Sequence, residues 1–456
     1  MFFAPPALDR LRRLVFAAGL LLSLLLLARG QVGGDQLNLL ARGWLLAERG
    51  ILVPFGNPLS NEGKEPGPLT SLLVGLPLLV WRDARAAAAV VWLAHLGAYL
   101  LLDRLVKRAL GPRERLLLAV FYWLNPWRLY FSGFLWNPNY LFLLGALHLA
   151  TAFSLRRRPR FWPSLLHVLA LGVAFQLHAS FVILALASAL LLWRRYFLLH
   201  WGGALAGAGL ALAALVPWMI AAASDPAILP GHKGFPLRGL LLVFPLLRGI
   251  LYWLRYGSLH LSGNLVQLDF SRLLTGEADA ALRTIGGFFA RAVAPLTVLL
   301  PLAANWRLAR RARPLLARRF PAAGGDRVWL RGYVLWTFLG AVVAFCLAPT
   351  TVMMWQGFIV LHAAALPLVF WLGVLARSRR AAWGRRITLG WIAGALFLGL
   401  VTAFGSPHYR CGGPEVMGMG VMLRGDHPML HDLGIARRCP PPTDPQGWWP
   451  DVLPPD

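Results

Sequence analysis

The sequence predicts an all-α polytopic membrane protein with about eleven transmembrane helices, and three observations carry that prediction. Hydrophobic residues fill 58% of the 456 positions and charged residues only 14%, against roughly 25% charged in soluble domains. Apolar runs rich in Leu, Ala, Val, Phe and Trp recur from end to end, many near the ~20 residues a helical crossing needs. The basic residues behind the net charge of +26 fall in bands between alternate runs. Banded charge orients a membrane protein, so no nucleic-acid partner is implied.

The first run, 14–28, follows Arg10, Arg12 and Arg13. It has the length of a signal-peptide core, but Ala28-Arg29-Gly30-Gln31 is a poor small-residue cleavage site, so it reads as an uncleaved anchor with a cytoplasmic start. The remaining crossings are 86–102, 116–131, 139–154, 163–178, 179–193, 200–220, 286–304, 332–348, 358–376 and 387–404. Alternation then makes 1–13, 103–115, 155–161, 194–199, 305–331 and 377–386 cytoplasmic. These pieces hold 27 of the 45 Lys and Arg residues and only four of the 19 acids, Asp9, Asp103, Glu114 and Asp326. The rest of the chain is nearly neutral.

Two apolar segments must stay out of the count: 66–81, with Pro66, Pro68 and Pro77, and 237–253, with Pro245 and Arg248. Both read as juxtamembrane helices on the external face. The expected organisation is a transmembrane module 1–220 with a first external loop 29–85, a second external loop 221–285, further transmembrane helices 286–404, and an external Pro-rich tail 405–456. The N-terminus is expected in the cytoplasm and the C-terminus outside the inner membrane. Cys346 lies within a span and reads as a packing residue, whereas Cys411 and Cys439 share the external tail, where a disulfide would survive. No inverted repeat of the transporter kind is visible, and no P-loop, GxGxxG, HExxH or GxSxG stands in a fitting context.

Candidate chemistry gathers on the external side. Asp35 precedes an amphipathic stretch, 36–48, in which Leu37, Leu39, Leu40, Trp44, Leu45 and Leu46 oppose Asn38, Arg42 and Glu48. There it is either an N-cap or a carboxylate that takes a proton from an acceptor hydroxyl. Glu62, Lys64 and Glu65 precede Pro66-Gly67-Pro68-Leu69; they form a solvated loop, or a set that binds a divalent metal, orients an acceptor and touches phosphate through Lys64. Trp136-Asn137-Pro138-Asn139 follows the third span, with Arg128 earlier on that span; the Trp suits an interface and the Asn amides suit a headgroup or sugar. His178 ends the fifth span beside Gln176, as a satisfied core residue or as a phosphate or metal ligand. His232 and Lys233, with Arg248 and Arg255, form an external cationic group: interface anchors, or a grip on a lipid phosphate.

In order, Gly34-Asp35 after the first span, Gly67-Pro68-Leu69 opening a juxtamembrane helix, Trp136-Asn137-Pro138-Asn139 after the third span and Gln176-Leu177-His178 ending the fifth resemble a family. The pattern is similar to the GT-C integral-membrane glycosyltransferases, especially bacterial relatives of the protein O-mannosyltransferases and lipid A aminoarabinose transferases. The later half of the chain matches only in layout. The resemblance implies transfer of a sugar from a polyprenyl-phosphate donor to an external glycan, lipid or protein acceptor, with Asp35 as general base and inversion at the anomeric carbon. Many members carry a second acid in the loop after the third span, where this chain has Asn137 and Asn139, and an Arg just before the Trp-Asn-Pro motif, where it has Ser132-Gly133-Phe134-Leu135. Arg128 is the substitute candidate for that phosphate contact. A lipid-linked sugar or solute transporter is the competing reading; it predicts ionisable groups at mid-bilayer and pseudo-symmetric halves, whereas the candidates here sit at one face.

Overall fold

A computed structural model describes residues 5–30, 32, 35–59, 63–229, 243–271, 273–311, 315–316, 325–348, 352–406, 409 and 428–435. Among these, eight helices are long and apolar enough to cross a membrane, so the chain is an all-α, multi-pass membrane protein. In chain order, α1 is Pro5–Arg29, α2 Asp35–Arg49, α3 Leu69–Val80, α4 Ala84–Ala109, α5 Pro112–Leu118, α6 Pro126–Phe131, α7 Asn137–Leu155, α8 Phe161–Leu177, α9 Phe181–Trp193 and α10 Trp201–Ser224. Then follow α11 Val243–Tyr256, the long run α12 Glu277–Ala309, α13 Asp326–Leu347, α14 Leu361–Leu375, α15 Ala381–Gly405 and the short α16 Pro428–Asp432.

The segments expected to lie outside the count appear as α3, of 12 residues, and α11, of which 14 residues are described. The expected crossings 163–178 and 179–193 are short as well, α8 having 17 residues and α9 13, so at 1.5 Å per residue all four fall below the ~30 Å of a hydrocarbon core. The expected third span, 116–131, is not one helix. It runs from α5 through a π turn, Ala119–Trp123, and restarts as α6. The cause is Asn125-Pro126: proline disfavours helical backbone in the residue before it, and Asn125 is extended at φ −60°, ψ 128°. Its side chain caps α6 through Trp127 N (3.0 Å) and donates to the Phe121 and Tyr256 carbonyls at 3.2 and 2.7 Å, so the break costs few hydrogen bonds.

The six basic pieces meet at one end of the bundle. Arg12 lies in the field of Asp103, and Asp103 pairs with Arg115. Glu114, 3% exposed at its side chain, binds Arg327 at 2.9 Å and Arg377 at 2.7 Å. Asp326 binds Arg156 at 2.8 Å, and Tyr196 donates to the Leu315 carbonyl at 3.0 Å. Asp103, Glu114 and Asp326 thus neutralise arginines where these chain segments converge, and Asp9 pairs with Arg12 and Arg13 of its own helix, which lets a strongly basic surface pack. Glu114→Gln is expected to destabilise the protein by about 3 kcal/mol, because two arginines lose their shared counter-charge; thermal unfolding in detergent reads it.

Inside the bundle, five helices are joined through polar groups. His148 of α7 bonds the Tyr333 hydroxyl of α13 and Ser188 of α9, both at 2.8 Å; Ser188 also bonds His167 of α8 at 3.0 Å, and Tyr333 bonds His362 of α14 at 3.2 Å. Polar groups at this depth need partners, and these find them in one another. Close approach matters beside this network: a Cβ at Gly145 would lie 1.9 Å from the Ile359 carbonyl oxygen. Gly145→Ala must therefore push α7 off the turn Met354–Val360, and a cost of about 2 kcal/mol is expected, read as a lowered Tm.

Cys346 is buried and free. The expected disulfide partners Cys411 and Cys439 lie outside the described residues.

Candidate functional site

At the end opposite the basic loops, the chain between α2 and α3 folds back as a two-stranded antiparallel ribbon, β1 Phe55–Pro58 and β2 Lys64–Pro66. It covers α2, and this changes what the amphipathic pattern of α2 means. The reading of 36–48 assigned Asn38 and Arg42 to a solvent face, yet both are buried, at 3% and 0% exposure. Arg42 donates to Asn57 Oδ1 of β1 at 3.0 Å and to the Asn38 carbonyl at 2.9 Å. The polar face of α2 meets the ribbon instead of water.

Asp35 is the first residue of α2 and is exposed. The indole N–H of Trp136 donates to its carboxylate at 3.0 Å, and Trp136 is held by Phe131, Phe134 and Trp355, with ring centroids 5.9, 6.4 and 5.4 Å away. The first motif is thereby fixed to the third.

Glu65 of β2 is 5% exposed. One of its oxygens accepts from the Asn57 backbone N–H at 3.1 Å and from the Asn137 side-chain amide. Burial pushes its carboxyl up to about 8; the Asn57 amide, the Arg42 guanidinium and the Asn137 amide pull the other way, and the Asp35 charge adds to the rise. A group with that value is mostly protonated at neutral pH. Two carboxyl groups therefore stand within each other's field, Asp35 exposed and Glu65 buried. Glu65 of β2 thus stands beside Asn137, in a stretch, 136–139, that has no acid of its own.

Gly67 adopts φ +89°, and a Cβ there would lie 2.3 Å from Gln176 Oε1. Only glycine meets both demands, and the contact seats the end of α8 on the ribbon. Gln176 Oε1, Asn137 Oδ1 and Thr70 Oγ1 are buried and have no hydrogen-bond partner among the described residues. Unsatisfied acceptors thus face this region from α3, α7 and α8.

The other expected residues take the following places. Lys64 stands on β2 beside Glu65, with its ammonium 5.9 Å from the Phe55 ring. Asn139 donates to the Phe134 carbonyl at 2.8 Å, and its own carbonyl accepts from His95 at 3.0 Å, so it shapes the turn before α7. His178 caps the α8–α9 junction: its Nδ1 accepts the Ser180 backbone N–H at 3.1 Å. Arg128 is fully buried, 3.8 Å from the Trp123 ring centroid, with one N–H donated to Ser23 Oγ at 3.0 Å. It lies between α1 and the π turn against the indole face, with Nε and Nη2 buried and without a hydrogen-bond partner among the described residues. Arg248 donates to the Val352 carbonyl at 3.2 Å, and Arg255 lies 5.4 Å from the Trp127 ring, both on α11. Glu62, His232 and Lys233 lie outside the described residues.

Of the residues expected to hold a divalent metal, Glu62 lies outside the described residues. Among the described residues no three His, Cys, Asp or Glu side chains gather to hold an ion. His178 Nδ1 accepts from Ser180, and Glu65 accepts from Asn57 and Asn137.

Arg42 and Asn57 escaped the sequence reading. The signal was present in Asn38 and Arg42, a polar pair at i, i+4 in an otherwise apolar helix.

The helices define an all-α, multi-pass membrane protein. No protein-family model matches the chain, and no curated protein matches it. Among solved structures, the chain is similar to ArnT from Cupriavidus metallidurans in the apo state, at 14% identity, covering 86% of this chain and 75% of that one with a TM-score of 0.50. A second structure of ArnT from Cupriavidus metallidurans, bound to undecaprenyl phosphate, gives 14% identity, 94% and 88% coverage and a TM-score of 0.46. At this identity the likeness is one of fold.

Proposed function

We propose that this protein is a GT-C-type membrane glycosyltransferase. It moves a sugar from a polyprenyl-phosphate-linked donor to an acceptor at the membrane face that carries Asp35, the external or periplasmic side of the inner membrane. The observation that carries the reading is the convergence of Asp35 with Trp136 and of Glu65 with Asn137 at one end of the bundle. Two supports accompany it: the fold shared with apo ArnT and the basic bands collected at the opposite end, which favour a cytoplasmic N-terminus.

In this reading Asp35 accepts the proton of an acceptor hydroxyl. The hydroxyl oxygen bonds to the anomeric carbon as the bond from that carbon to the lipid phosphate oxygen breaks, inverting the centre, and the polyprenyl phosphate leaves as the anion. Lys64 is the cation adjacent to Glu65 and meets that phosphate; Arg248 and Arg255 line its approach along α11. Protonated Glu65 adds no second negative charge near the departing phosphate. The buried acceptors of Asn137, Gln176 and Thr70 suit the hydroxyl donors of a sugar.

Purified protein in detergent is mixed with polyprenyl-phosphate sugars and candidate acceptors. The expected result is one free polyprenyl phosphate released per sugar transferred. Movement of the intact lipid-linked sugar across proteoliposomes with no bond cleavage would replace the enzyme by a transporter.

A further inference from the structure

A second site stands at the other end of the bundle. Between the C-terminal part of α12, the start of α13 and the end of α14 lies a cavity of about 520 Å3. Its lining combines four arginines, Arg307, Arg310, Arg311 and Arg331, with apolar side chains that include Phe370 and Trp371. Arg307 lies 5.1 Å from the Trp371 ring centroid and Arg331 5.9 Å from that of Phe370, so the rings orient two of the cations. Arg311 and Arg327 add like charge around Arg331.

The nearby acids are engaged: Glu114 binds Arg327 and Arg377, and Asp326 binds Arg156 and Arg157. Among the described residues no carboxylate pairs with any of the four cavity arginines. Clustered cations beside apolar walls repel one another and gain from a shared anion. Arginine forks match phosphate oxygens two at a time.

The surroundings select the kind of anion. Leu299, Leu302 and Trp306 on α12 and Val374 on α14 are 62%, 48%, 65% and 44% exposed, which leaves an apolar surface running away from the cavity. A small soluble anion makes no use of that surface, whereas a phospholipid places its phosphate among the arginines and its chains along it. The volume is within the range of sites that hold a small organic headgroup.

We propose that this cavity binds the phosphate headgroup of an anionic phospholipid, at the end of the bundle remote from Asp35.

The test uses the full chain, delipidated in detergent, with thermal unfolding followed during titration by phosphatidylglycerol, cardiolipin, phosphatidylcholine or inorganic phosphate. Saturable stabilisation by the anionic lipids is expected, with the apparent Kd raised at least tenfold in Arg307→Gln/Arg311→Gln/Arg331→Gln and unchanged in Lys107→Gln/Arg108→Gln, an exposed basic pair elsewhere. An unchanged Kd in the triple variant, or equal stabilisation by phosphatidylcholine, overturns the site. Equal stabilisation by inorganic phosphate at matched concentration overturns the lipid as its occupant. Should the triple variant fail to fold, single Arg307→Gln and Arg310→Gln variants, together with native mass spectrometry of the wild type re-exposed to an equimolar lipid mixture, decide the matter: no preferential retention of anionic lipid sinks the proposal.

Discussion

Asp35→Asn is expected to lower the rate of sugar transfer by roughly 10²- to 10⁴-fold, the range that removal of a positioned general base produces. The substitution is chosen because it changes little else. Asp35 is exposed at the first turn of α2, and an asparagine carbonyl oxygen can still accept the Trp136 indole N–H now held at 3.0 Å. Asn is also a good residue for starting a helix, so the melting curve should overlay that of the wild type. Single-turnover measurements at saturating donor separate the chemical step from binding: the rate constant falls while donor affinity stays within about threefold. Asp35→Ala removes the Trp136 contact as well and should lose at least as much activity, with a small drop in Tm. A folded Asp35→Asn protein with full activity would remove Asp35 as the base.

The second large effect concerns stability. Burial raises Glu65 to about 8 from an ordinary value of 4.5. Between those values the unfolded chain has released a proton that the native protein still holds. Stability from this group is therefore fully present below about pH 4.5, declines as pH rises towards 8, and is flat beyond. The decline is on the order of a few kcal/mol. Glu65→Gln imitates the protonated form and cannot titrate, so the slope of Tm against pH between 5 and 8 should shrink in that variant. The Asn57 N–H and Asn137 amide retain an oxygen to bond. Equal slopes in the two proteins would show that Glu65 ionises in the native state as freely as in the unfolded one. The ribbon that buries Glu65 also covers Arg42, whose guanidinium donates to Asn57 Oδ1 and to the Asn38 carbonyl.

The sequence located α1, α4, α7 and α10 closely, because each is a long apolar run bounded by charge or proline. It also set apart the segments of α3 and α11 by their prolines and arginine. The break between α5 and α6 was legible in Asn125-Pro126 and was passed over because apolar residues continue on both sides. Hydrophobicity gives the length of a buried stretch and says nothing of whether its backbone is continuous. Arg128 shows the opposite limit. Its sequence position showed a cation near the end of a span but not its burial, with Trp123 on one side, Ser23 taking one N–H, and Nε and Nη2 without a partner among the described residues.

The candidate site divides in the same way. Asp35, Glu65, Asn137 and Gln176 were each visible as polar residues where an apolar run ends. Their meeting was not visible, since positions 35, 65, 137 and 176 belong to four segments of the chain. Arg42 and Asn57 were unreadable for a related reason: a polar stripe on a helix looks the same whether water or a folded-back ribbon covers it.

What the sequence determined by itself is the membrane-protein class, the order of the helices and the gathering of basic charge at one end. Each of those follows from partition between hydrocarbon and water, which acts residue by residue and leaves a local record. Only the tertiary structure decided that Trp136 meets Asp35, that Glu65 is buried against Asn57 and Asn137, and that four arginines share a cavity far from them. Hydrogen bonds and pKa shifts depend on which distant groups come within a few ångströms, and that is fixed by packing.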